Sequence, residues 1–154
     1  SRMKGFSLDH IKITIEQEGK DNGPMFIQVH INEKSLPGIL NVEEFFTINW
    51  QNEPLALFTC GCGDFDCDGY YVNVSCTDAA LILQNSYHRF NRSLQSAFEY
   101  HLDWQEMRGI AEEILNYLQN VFERNPRAYV SNGYTGENLI NRIPNYRKSF
   151  LLIY

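Results

Sequence analysis

Two periods divide the chain. From Phe6 to Glu16 apolar and polar residues alternate, with Ile11, Ile13 and Ile15 on one face. A period of two matches the pleat of a strand, which sends successive side chains to opposite faces. The turn cluster Lys20-Asp21-Asn22-Gly23-Pro24 follows, and Phe26-Ile27-Gln28-Val29-His30-Ile31 alternates again. A first hairpin is therefore expected, ending at Pro37-Gly38. Asn41-Val42-Glu43-Glu44 has the Asn-x-x-Glu form of a capping box, and Val42, Phe45 and Phe46 recur at helical spacing. That predicts a short helix. Segments 55–62 and 70–76 read as a second hairpin, and 79–83 and 97–102 as further strands.

The period lengthens at Asp103. Asp103-Trp104-Gln105-Glu106 is a second capping box, and Ile110, Ile114, Leu118, Val121 and Phe122 trace one helical stripe. Glu112, Glu113, Asn116, Gln119 and Glu123 occupy the other face, and Asn125-Pro126 stops the helix. A loop containing Gly133 and Gly136 comes next, and Phe150-Leu151-Leu152-Ile153 reads as a final buried strand. No repeat or linker divides the chain. The expected fold is α+β: an antiparallel sheet of about five to seven strands packed against one long amphipathic helix (about 104–124), plus a short helix. One domain is expected over 3–154, with Ser1-Arg2 a cloning remnant ahead of Met3.

Composition supports a packed core. At 154 residues, with 44% hydrophobic and 14% aromatic content, the chain is long enough to fold without staples. Those shares argue against disorder, and a charged share of 21% is ordinary for a globular protein. Ten Phe, nine Tyr and two Trp are many for this length; those not needed in the core would form a contact surface. The net charge of −6 disfavours nucleic acid as a partner, since such binders carry basic patches that displace counterions. It suits a basic protein partner, and equally the simple need for solubility. No span approaches the roughly 20 apolar residues of a membrane helix, and no leader opens the chain. Four cysteines without a leader point to reduced thiols and a cytoplasmic setting.

Candidate chemistry gathers at the turn of the second hairpin. Thr59 to Gly69 holds three of the four cysteines and three aspartates. Cys60, Cys62 and Cys67 have Cys-x-Cys-x4-Cys spacing, from which thiolates on a tight turn can converge on zinc. The fourth ligand would be Cys76, His88, His101 or an aspartate. The competing reading makes the cysteines small core residues, because Cys60 and Cys62 share one strand face, as do Val72, Val74 and Cys76. Asp64-Phe65-Asp66-Cys67-Asp68-Gly69 opens like a calcium loop, but the twelfth position is Ser75 where the bidentate Glu belongs, and the flanks read as strands. Thiolate catalysis is disfavoured because three neighbouring aspartates raise a thiol pKa. His10, His30, His88 and His101 are scattered, and no phosphate loop, nucleophile elbow or paired metal-protease histidines occur. No catalytic residue, metal or cofactor is assigned, and the chain does not read as an enzyme. Structural zinc on Cys60, Cys62 and Cys67 is the alternative.

The stretch Leu57-Phe58-Thr59-Cys60-Gly61-Cys62-Gly63 through Cys67-x-Gly69-Tyr70-Tyr71-Val72, with Phe98-Glu99-Tyr100 and the helix from Trp104, resembles a pattern in small uncharacterised bacterial proteins. There a strand ends in Cys-x-Cys-Gly, a short turn carries another Cys, and an apolar strand follows. Such proteins are similar to immunity proteins encoded beside polymorphic or contact-dependent toxins. Asp66 and Asp68 around Cys67 depart from the pattern and make this turn unusually acidic. The resemblance implies a cytoplasmic protein that binds and occludes a basic toxin domain, a nuclease by preference. Partner contacts are expected from Asp64, Phe65, Asp66, Asp68 and Tyr70, where aromatic anchors sit beside negative charge, with Glu112 and Glu113 as a second surface.

Overall fold

The computed structural model describes residues 8–17, 23–47, 54–59, 69–86, 97–130 and 136–151; of 47, 136–139, 150 and 151 only the backbone course is described. Strand β1 (Ile11–Gln17) pairs antiparallel with β2 (Pro24–Ile31), and the register sets Ile11, Ile13 and Ile15 opposite Ile31, Val29 and Ile27. The alternation in sequence thus becomes one apolar face, with Lys12, Thr14 and Glu16 on the other side. A two-residue turn at Asn32 and Glu33, both at positive φ (52° and 70°), returns the chain as β3 (Lys34–Ser35). That turn twists with the strands it joins.

The larger sheet is antiparallel and runs in the order β4 (Ile39–Leu40), β5 (Pro54–Thr59), β6 (Tyr70–Cys76), β7 (Ala80–Asn85), β8 (Glu99–Asp103). The chain enters it through Gly38 at φ 79°, where a Cβ would lie 2.6 Å from the Thr59 carbonyl oxygen. Only glycine fits both the conformation and the space. Between β4 and β5 lies helix α1 (Val42–Thr47), whose Glu44 N–H donates to Asn41 Oδ1 at 3.1 Å, as the capping box predicts.

One carboxylate ties the two sheets together. Asp9 Oδ2 accepts from the His101 amide of β8 at 2.8 Å, and Oδ1 accepts from Asn32 Nδ2 at 2.7 Å. The Asp9 amide in turn donates to the His101 carbonyl at 2.8 Å.

Helix α2 (Trp104–Arg124) packs its predicted stripe into the core: Ile110, Ile114, Leu118, Val121 and Phe122 are all buried. Asp103 caps it, accepting from the Gln105 amide at 3.3 Å, and the Trp104 indole donates to the Thr77 carbonyl at 3.0 Å. Beyond it, the short β9 (Tyr129–Val130) pairs in parallel with the start of β2.

The C-terminal segment differs from the sequence expectation. Phe150 and Leu151 close a helix, α3 (Gly136–Leu151), where a strand was predicted; Leu152 and Ile153 lie outside the described residues. Ile143 and Tyr146, three residues apart, are its buried face. Tyr146 stacks on Phe46 of α1 with centroids 5.2 Å apart, and Arg142 pairs with Glu43 at 2.9 Å. The helix is thus specified by contacts distant in sequence.

Candidate functional site

The base of the second hairpin, formed by β5 and β6, is described. Phe58 lies opposite Tyr70 in the register, and their rings stack at 5.0 Å between centroids. Tyr70 is 5% exposed, and its hydroxyl donates to the Pro37 carbonyl at 2.7 Å. Burial, and then the nearby Tyr100, push its phenol well above the usual tyrosine pKa. Tyr70 is therefore a core residue that fixes the hairpin base, and the expectation of an exposed anchor there is corrected. Its alternation with Tyr71 decides which ring is buried. Asp64, Phe65, Asp66 and Asp68 lie outside the described residues, as do Cys60, Cys62 and Cys67.

Two of the candidate fourth ligands, Cys76 and His101, are described. Phe58 pairs with Tyr70 at one end of β6, and Cys76 stands six residues further along, roughly 20 Å away at strand rise. His101 faces Ile82, which faces Ser75, so it sits at the same remote end. Of the other candidate fourth ligands, His88 and the tip aspartates lie outside the described residues. Cys76 is exposed at the strand end, unlike the buried Val72 and Val74, which corrects the expectation that it packs with them. Partial desolvation raises its thiol pKa, the wrong direction for a reactive thiolate.

On α2 the two predicted glutamates diverge. Glu112 is engaged by the Arg147 guanidinium of α3, which also reaches Asn116 Oδ1 at 3.4 Å. Its charge is largely answered within the protein. Glu113, one residue on, is exposed, and no ion pair involves it among the described residues. One turn later on the same face stands Tyr117, 37% exposed, followed by Asn120. Tyr117 was absent from the sequence-based candidates. Its signal was present in the i, i+4 spacing from Glu113 on the polar stripe.

Two histidine clusters lie on the sheets' outer faces. His30 is bracketed by Ser35 Oγ on Nδ1 at 2.8 Å and Thr14 Oγ1 on Nε2 at 2.9 Å. A hydroxyl against an imidazole has the outline of a nucleophile and base. Here, however, Ser35 is the direct cross-strand partner of His30 on an open sheet surface, and strand pairing accounts for the contact. His101 Nε2 meets Glu99 Oε2 at 2.8 Å, and Gln84 donates to the other carboxylate oxygen at 2.5 Å. The hydrogen bond from His101, then that from Gln84, lowers the Glu99 pKa. Among the described residues no group of three or more metal-ligating side chains converges. No described helix is long and apolar enough to cross a membrane.

The architecture is that of an α+β protein that packs one face of a long helix into its core and leaves a polar, tyrosine-bearing stripe of it in solvent. No family profile, curated protein or solved structure matches the chain.

Proposed function

We propose that the protein is a stoichiometric inhibitor of the immunity type, which binds a basic toxin domain, a nuclease by preference, and occludes its active site. The observation that supports this is the exposed face of α2. Tyr117 stands one turn from an uncompensated carboxylate, Glu113, on a helix whose opposite face is locked in the core. A rigid aromatic loses little entropy on docking, and an adjacent negative charge steers a basic surface toward it. The net charge of −6 has the same sense. The tip residues Asp64, Phe65, Asp66 and Asp68 join this reading on their sequence alone, whereas Tyr70 and Glu112 leave it. Docking of such a surface in a cationic substrate cleft would exclude the phosphate backbone that the cleft serves.

The test begins with the tagged chain in its native host, with bound protein identified by mass spectrometry. The captured partner is then purified and assayed for nucleic-acid cleavage. Complete loss of cleavage at one equivalent is expected, with Tyr117→Ala weakening the complex about thirtyfold or more. A captured partner whose activity persists in the saturated complex would overturn the inhibitor reading.

A further inference from the structure

A different face carries an open cleft. It lies between α2 and α3, has a volume of about 520 Å³ and is lined by Gln119, Ile140, Ile143, Pro144, Arg147 and Lys148. That volume falls in the range of small-ligand sites. Five of these residues come from α3 at relative positions 0, 3, 4, 7 and 8, which places them on one stripe of the helix. The stripe is divided along its length: Ile140, Ile143 and Pro144 are apolar, and Arg147 and Lys148 are cationic.

We propose that this cleft binds a small amphipathic carboxylate, its apolar tail along Ile140, Ile143 and Pro144 and its carboxylate between Arg147 and Lys148. Charge selects the head group. On a protein of net charge −6, this end of α3 presents two adjacent cations; Arg147 is paired with Glu112, and Lys148 pairs with no carboxylate among the described residues, so one positive charge is in excess. Arg147 uses Nη1 on Glu112 and makes only a long contact from Nη2 to Asn116, so donors of its five-N–H fork remain for a planar carboxylate. The spacing selects the tail. From Ile140 to Arg147 is seven residues, about 10 Å along a helix, the length of a medium acyl chain. Pro144 adds to the apolar floor a ring with no N–H to donate. A basic toxin surface does not suit this cleft, so the site is independent of the inhibitor reading.

The experiment titrates decanoate, kept below its aggregation concentration, into the full chain and follows the methyl resonances of Ile140 and Ile143. Saturable shifts at both methyls with one-site stoichiometry are expected. Decanol, which keeps the tail and lacks the charge, should bind at least about tenfold more weakly, the worth of a charge-assisted hydrogen bond. Lys148→Gln, at an exposed position where folding tolerates the change, should weaken decanoate about tenfold and leave decanol unaltered. Shifts that fail to saturate or that bypass these methyls overturn the proposal. So does decanol binding as well as decanoate, or an unchanged decanoate affinity in Lys148→Gln.

Discussion

The two long helices reach the same conformation by opposite routes. Helix α2 is written locally: an Asp cap, an unbroken polar and apolar stripe over 21 residues, and no proline until the segment has ended. Helix α3 starts at a glycine, carries Pro144 in its interior, and is held by partners that its own sequence does not announce. Glu43 receives both Arg142 Nη1 and the Tyr146 hydroxyl, and Glu112 receives Arg147. Tertiary packing can override a poor local pattern, because most helical stability in proteins comes from the buried face. The difference assigns different consequences to substitutions in the two helices.

The largest effect is expected in the core of α2. Leu118 is fully buried, so Leu118→Ala should cost about 3 kcal/mol through lost burial and an unfilled cavity. The loss should appear as a shift of the whole urea transition, with α2 and α3 unfolding together. A transition that splits, leaving α3 native after α2 has melted, would show that the helices are not cooperative in this way.

Glu43→Ala tests the other route. It removes the acceptor shared by Arg142 and Tyr146, and the half-buried tyrosine hydroxyl loses its partner, for about 2 kcal/mol. Amide exchange should accelerate most in α3 and least in the centre of α2. Equal acceleration in both would mean that α3 has no separate dependence on this carboxylate.

These contrasts explain what was legible in the sequence. Strands β1 and β2 have a strict period of two, and one face of each is buried, so pattern and structure coincide. The stripe and cap of α2 are equally local. The α3 stripe of Ile140, Ile143 and Tyr146 was also present, but Pro144 interrupted it, and the apolar run from Phe150 suggested a strand. Its ion-pair partners stand 99 and 35 residues away in sequence. The candidate site followed the same rule. Tyr70 looked available because its hydroxyl partner, the Pro37 carbonyl, is 33 residues distant. Glu112 looked equivalent to Glu113 because Arg147 is contributed by the unforeseen helix. Tyr70, Glu112 and the α3 segment were each decided by a long-range contact.

A smaller effect should separate the helix starts. Asp103→Ala removes the α2 cap, for about 1 kcal/mol. Exchange should quicken in the first turn, near Gln105 and Glu106, while Leu115 to Phe122 keep their protection. Loss of protection along all of α2 would imply that the cap, and not the buried stripe, holds the helix.

The smallest effect concerns acid, and it has opposite signs beside the two helices. Glu44 lies in α1, on which α3 leans; burial raises its pKa, against a smaller lowering from a backbone hydrogen bond at Ala56. A raised folded pKa favours the fold when the group is protonated, so its contribution grows as pH falls toward the ordinary glutamate value of about 4.3. It is lost again as pH rises through the raised pKa. Glu99, in the strand that leads into α2, is held below that ordinary value by His101 and Gln84. Its contribution is present above about pH 4.3 and disappears as pH falls through the depressed pKa. As pH falls, urea midpoints should therefore lose part of their rise toward pH 4.3 in Glu44→Gln, and part of their fall below it in Glu99→Gln. If either substitution alters the opposite limb, the assignment of that limb to its helix is wrong, because neither residue touches the other's partners.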